Sequence, residues 1–97
     1  MNNNPLEKFI EGKVCLYAAD RGWVTYKFTS PARAAVPDRL FITPFGRVIF
    51  VEFKRKGMKP TPAQSREHDR LIRQGCTVRV IDCVSDGIDL VDADWGM

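Results

Sequence analysis

The chain has no C-x-x-C pair, only one histidine, no apolar run long enough to span a bilayer, and no basic residue after Arg79. Each shortage excludes something. Three cysteines, Cys15, Cys76 and Cys83, are odd in number and lack metal-knuckle spacing, so neither a disulfide framework nor a zinc knuckle is expected. They read as reduced core thiols. With His68 alone, sites that need two histidines from one chain, such as the H-E-x-x-H zinc-hydrolase type, are excluded. Neither a membrane span nor a secretory leader is recognisable, which leads to the expectation of a soluble, intracellular, cytoplasmic protein with no membrane partner.

What is present suits one small α/β domain. Ninety-seven residues with 44% hydrophobic content bury only a modest core, so a single domain over residues 1–97 is expected. Charge is divided unevenly along it. All 15 Lys and Arg precede residue 82 and meet 7 acids there, a balance of +8, whereas Asp82, Asp86, Asp89, Asp92 and Asp94 leave the end at −5. A basic body suits a polyanionic partner, although a solvated charged surface explains the same balance.

Asn4-Pro5-Leu6-Glu7 carries helix-start grammar: a capping Asn, Pro at the first helical position and a capping-box carboxylate. Leu6, Ile10, Val14 and Tyr17, with Phe9 beside them, recur at helical spacing until Gly22. Trp23 to Phe28 is β-branched and aromatic and predicts a strand, and residues 29–37, with two prolines, a loop. Strands over Arg39 to Thr43 and Val48 to Lys54 flank Pro44-Phe45-Gly46-Arg47, a turn that makes them an antiparallel hairpin. Thr61-Pro62-Ala63-Gln64 opens a second, polar helix in which Ala63, His68, Leu71 and Ile72 are the candidates for burial, ending at Gly75. Thr77 to Ile81 predicts a fourth strand, and Ser85 onward a short helix. The order α-β-β-β-α-β implies helices packed on a mixed sheet.

The apolar hairpin carries three charges that burial would penalise. Side chains two apart on a strand share a face, so Glu52 and Lys54 project together, and the hairpin can set Asp38 across from them. Two converging carboxylates suit a hard divalent cation. A nearby ammonium can orient water or offset charge on a scissile phosphate. Glu11-Gly12-Lys13 has the same spacing but falls on a helix, where residues two apart diverge.

Asp38 at the start of one strand, Glu52-Phe53-Lys54 at the end of the next and a carboxylate-bearing helix before both resemble the PD-(D/E)XK nuclease superfamily. Within it, the chain resembles the stand-alone virus-type replication-repair nuclease (VRR-NUC) domains through Leu6-Glu7-Lys8-Phe9, Tyr26-Lys27-Phe28, Ser30-Pro31, Arg33, Val36-Pro37-Asp38-Arg39, Gly46 to Lys54 and Thr61 to Gln64. The resemblance implies a restriction-endonuclease-like core and a metal-dependent DNA endonuclease. In it Asp38, Glu52 and the Phe53 carbonyl bind Mg²⁺ or Mn²⁺, Lys54 serves the attacking water, Glu7 completes the site with Glu11 as second choice, and Gln64 stands near the metal. Lys27, Arg33, Arg39, Arg55, Lys56 and Lys59 are the expected DNA contacts, while Arg66, Arg70 and Arg73 read as solvent-facing, with contact to the DNA backbone as the alternative. Branched DNA such as a Holliday junction, a homodimer, a possible viral source and the absence of an organic cofactor complete the expectation. The alternatives are a non-catalytic nucleic-acid-binding module and a subunit of a larger repair or packaging machine. Singly, Glu7 and Gln64 are also capping-box residues, Asp38 a turn residue, and His68 a packing residue.

Overall fold

A computed structural model describes residues 5–96, and the capping position assigned to Asn4 lies outside the described residues. Helix α1 (Pro5–Asp20) leads into β1 (Val24–Lys27), β2 (Arg39–Ile42) and β3 (Val48–Phe53), then α2 (Pro62–Arg73), β4 (Thr77–Ile81) and α3 (Val84–Asp92). The four strands form one sheet in the order β1-β2-β3-β4. β1, β2 and β3 run antiparallel in turn, and β4 lies parallel to β3. This is the expected mixed α/β arrangement, and α2 supplies the crossover that a parallel pair requires.

Strand alternation divides the sheet into two environments. On one face Phe41, Ile49, Val51, Phe53 and Ile81 pack beneath Ile10, Val14 and Ala18 of α1 and Leu90 and Val91 of α3. The other face carries Phe50 and Glu52, and Glu52 meets α2. Gly87 is where α3 crosses α1: a Cβ there would sit 2.2 Å from Val14 Cγ2. Gly87→Ala should therefore lower stability by about 1–3 kcal/mol through overpacking, seen as a lower urea midpoint at unchanged slope.

Several burial expectations need correction. Leu6 and Phe9 of α1 are more than half exposed, and Ala18 takes the inward position. In α2, Ala63 and Ile72 face solvent, while the charged Glu67 is buried beside His68. All three cysteines are free, as expected, but only partly buried. Trp95 lies half-buried, edge-on to Trp23, with its Nε1–H donating to Leu90 O at 2.7 Å.

Candidate active site

Antiparallel register creates the site. Arg39 pairs with Val51, so the next step outward sets Asp38 opposite Glu52 on the same face. Directly opposed residues have Cβ atoms about 4.5–5.5 Å apart. Asp38 is fixed there from both sides: its carbonyl accepts from Phe28 N at 2.9 Å, and its Oδ2 accepts from Phe53 N at 2.8 Å. The strand partner that Phe53 would otherwise meet is Pro37, which has no N–H to give. The Phe53 carbonyl is thus left without a ladder donor at the edge of the site.

Helix α2 grips Glu52 from above. Thr61 and Gln64 form a complete capping box, which fixes Gln64 while its Nε2 donates to Glu52 Oε2 at 3.3 Å. One helical turn later, His68 Nε2 stands 3.5 Å from Glu52 Oε1. Both atoms are buried and neither has a hydrogen-bond partner. Glu52 is 1% exposed. Burial, then the Asp38 charge opposite, pushes its carboxyl up to about 8, against the pull of Lys54. Burial also holds the His68 imidazole below its ordinary value, favouring the neutral ring.

Glu7 and Lys54 line a narrow cleft of about 210 Å³ with Arg55, Met58, Lys59 and Thr61. Burial and the nearby Asp38 charge raise the Glu7 carboxyl above its usual range. Glu11, the second choice for this position, is occupied elsewhere, because Arg39 Nε donates to its Oε2 at 2.6 Å with both side chains only 18% exposed. That pair also holds Arg39, expected as a DNA contact, mostly buried between β2 and α1. Lys27, Arg55, Lys56 and Lys59 are exposed, as a phosphate contact requires. Arg33 is half-exposed and tied to Glu67 at 2.9 Å.

The acidic pair fits a divalent cation on its own chemistry. The buried Glu52 carboxyl, one oxygen of which lacks a hydrogen-bond partner, stands against the Asp38 charge, and a cation held by both would offset that like-charge repulsion. Asp82, Cys83 and Asp86 also bring ligand atoms within 4.8 Å of one another. There, however, Asp82 Oδ2 already accepts from Gly57 N at 3.0 Å, and the thiol is a soft donor unsuited to Mg²⁺.

No family model matches the chain. A solved structure named "VRR_NUC domain" superposes with a TM-score of 0.84 at 29% identity, covering 92% of this chain and 97% of that one. A curated relative, "Putative nuclease p44" of Acyrthosiphon pisum secondary endosymbiont phage 1, is 56% identical over 61 residues, which span 63% of this chain and 66% of that protein's length. The chain belongs to the VRR-NUC family. A second solved structure, "VRR_NUC domain protein", shares the fold at a TM-score of 0.68 and 17% identity, over 88% of this chain and 84% of its own. In this VRR-NUC domain, Glu7, Asp38, Glu52, Lys54 and Gln64 converge, Glu11 and Arg39 turn away to each other, and His68 joins the site unexpectedly. The signal for His68 was present: it follows Gln64 by four residues, on the same helical face.

Proposed function

We infer that this VRR-NUC domain is a divalent-metal-dependent endodeoxyribonuclease, hydrolysing phosphodiester bonds of branched DNA. The observation that carries the reading is the buried Glu52 carboxylate, one oxygen partnerless, directly opposite Asp38 and beside Lys54. Asp38, Glu52 and the Phe53 carbonyl would hold Mg²⁺ or Mn²⁺, with Glu7 completing the set directly or through water. A cation bound there would polarise the scissile phosphate and lower the pKa of water.

The chain's own groups do the rest. Lys54 is placed to orient the attacking water and to oppose the charge that grows on the phosphate. Gln64 fixes Glu52 through Oε2, so the carboxylate keeps its aim when it ionises. Two carboxylates repel phosphate, so a module that only bound nucleic acid would gain nothing from them. Lys27, Arg55, Lys56 and Lys59 surround the site with positive charge for the backbone. Binding should therefore be steeply salt-dependent, log K falling by about 0.9 per log unit of salt for each phosphate neutralised. An affinity that stays flat across a salt titration would contradict it. Labelled four-way, forked and linear DNAs, incubated with and without Mg²⁺ or Mn²⁺, test the activity; preferential cutting of linear duplex would remove the branched-DNA assignment.

A symmetric branch needs two sites of opposite polarity, which a two-fold homodimer supplies. Phe45 and Met58, both more than half exposed, are apolar surface available to such an interface, whereas Trp95 is half-buried against the core. Helix α1 offers a larger surface. Phe9 and Leu16 are 56% and 71% exposed on the side away from the core, and Leu6, at the start of the helix, is 53% exposed. Gly12 flanks them, and a Cβ there would meet nothing within 4 Å. A mid-helix glycine costs about 1 kcal/mol relative to Ala, and no group of its own chain requires it. Close approach of the same helix from a second copy would, with Phe9 of each set against Leu16 of the other. Light scattering should give a dimer for the wild type and a monomer for Leu16→Glu. A monomeric wild type that cuts junctions at full rate would overturn this arrangement.

A further inference from the structure

The α2 arginines assigned to solvent on sequence line a cleft. Arg66, Arg70 and Arg73 form one wall of an open space of about 500 Å³, and Arg33 with the neighbouring alanines of the loop 29–37 forms the other. The buried Glu67 ties the two walls together: its Oε1 accepts from Arg33 Nε at 2.9 Å and lies 3.9 Å from Arg70 Nε. Glu67 thus pairs with two of the four guanidinium groups, and no second acid lines the cleft. A structural ion pair accounts for Arg33 and Glu67. It does not account for Arg66 and Arg73, which make no ion pair among the described residues.

The cleft also lies next to the chemistry. Its loop wall continues into Asp38, and Glu67 at its floor precedes His68 on α2, whereas Arg66, Arg70 and Arg73 lie on the far side of that helix from Gln64 and His68. Nine residues separate Gln64 from Arg73, or about 14 Å along the helix. A DNA with one phosphate at the carboxylates would meet these arginines with phosphates further along its backbone, past the loop and around α2. Guanidinium forks match phosphate oxygens bidentately, whereas lysines would supply only point charge. The alanine side chains leave the opening wide.

We propose that this arginine cleft is a second DNA site, holding non-scissile backbone phosphates of the DNA being cut. Glu67 acts as a buried post that keeps Arg33 aimed at the opening. The identity of the polyanion as DNA rests on the nuclease reading; the anion site itself rests on the cleft.

The test is made in the Asp38→Asn protein, which should bind without cutting, using a labelled four-way junction and a labelled duplex over roughly 50–200 mM salt. Arg70→Gln/Arg73→Gln should weaken binding at least tenfold and reduce the salt slope by about two, near 0.9 for each lost phosphate contact. Arg47→Gln/Arg79→Gln, which removes the same charge beside Trp95, should change the slope by much less. Unchanged binding in the first pair, or an equal loss in the second, overturns the cleft. Failure of the nuclease reading is a separate result: wild-type protein that binds DNA with full dependence on the cleft yet cuts none with Mg²⁺ or Mn²⁺.

Discussion

Asp38→Asn and Lys54→Ala should each slow DNA cleavage by about 10²- to 10⁴-fold, the range in which positioned electrostatic and acid–base groups act. Neither should unfold the protein. Asn retains a side-chain oxygen that can accept from Phe53 N, the bond that fixes Asp38 at the end of β3. Lys54 is only half-buried, and its backbone N–H, which donates to Ile81 O at 2.9 Å, survives the truncation. DNA affinity should persist in both, because the exposed Lys and Arg carry it. Wild-type cleavage rates in single-turnover assays of either variant would remove that residue from the machinery.

The second large effect couples pH, metal and stability. Glu52 ionises near 4.5 when unfolded and near 8 when folded without metal. The folded state therefore holds this proton more tightly, so the stabilising contribution is complete below about 4.5 and is lost as pH rises through about 8. The metal-free protein should melt at progressively lower temperature between pH 6.5 and 8, by at most about 1.4 kcal/mol per pH unit. For a domain of this size, each kcal/mol is worth about 4–8 °C. His68 works the other way, its lowered value costing stability as pH falls through its ordinary 6.5, and the raised Glu7 works with Glu52, so substitution of Glu52 rather than the window alone isolates it. Glu52→Gln should flatten the decline, and Mn²⁺ should raise the melting temperature more at pH 8 than at pH 6.5. A metal-free wild type whose stability is level across the window would show that Glu52 is ionised and satisfied without a cation.

The carboxylate pair was legible because strand alternation and a tight turn leave one register in which Asp38 can face Glu52. The choice between Glu7 and Glu11 was not. They lie one turn apart on α1, and the decision belongs to Arg39, whose pairing with Glu11 depends on how the helix sits on the sheet. The same packing mostly buries Arg39. Apolar periodicity misplaced Leu6 and Phe9 because α1 is apolar on two sides, and the pattern does not say which side faces inward. Glu67 was missed as a buried residue because its partner, Arg33, lies 34 positions away in a loop without periodicity.

Calorimetric titration of Mn²⁺ into the wild type, Asp38→Asn and Asp82→Asn at pH 8 tests most directly whether the opposed carboxylates form a metal centre. The expected result is binding in the wild type, its loss in Asp38→Asn and its retention in Asp82→Asn. Binding that survives in Asp38→Asn and disappears in Asp82→Asn would move the metal to the Asp82, Cys83 and Asp86 group and contradict the assignment.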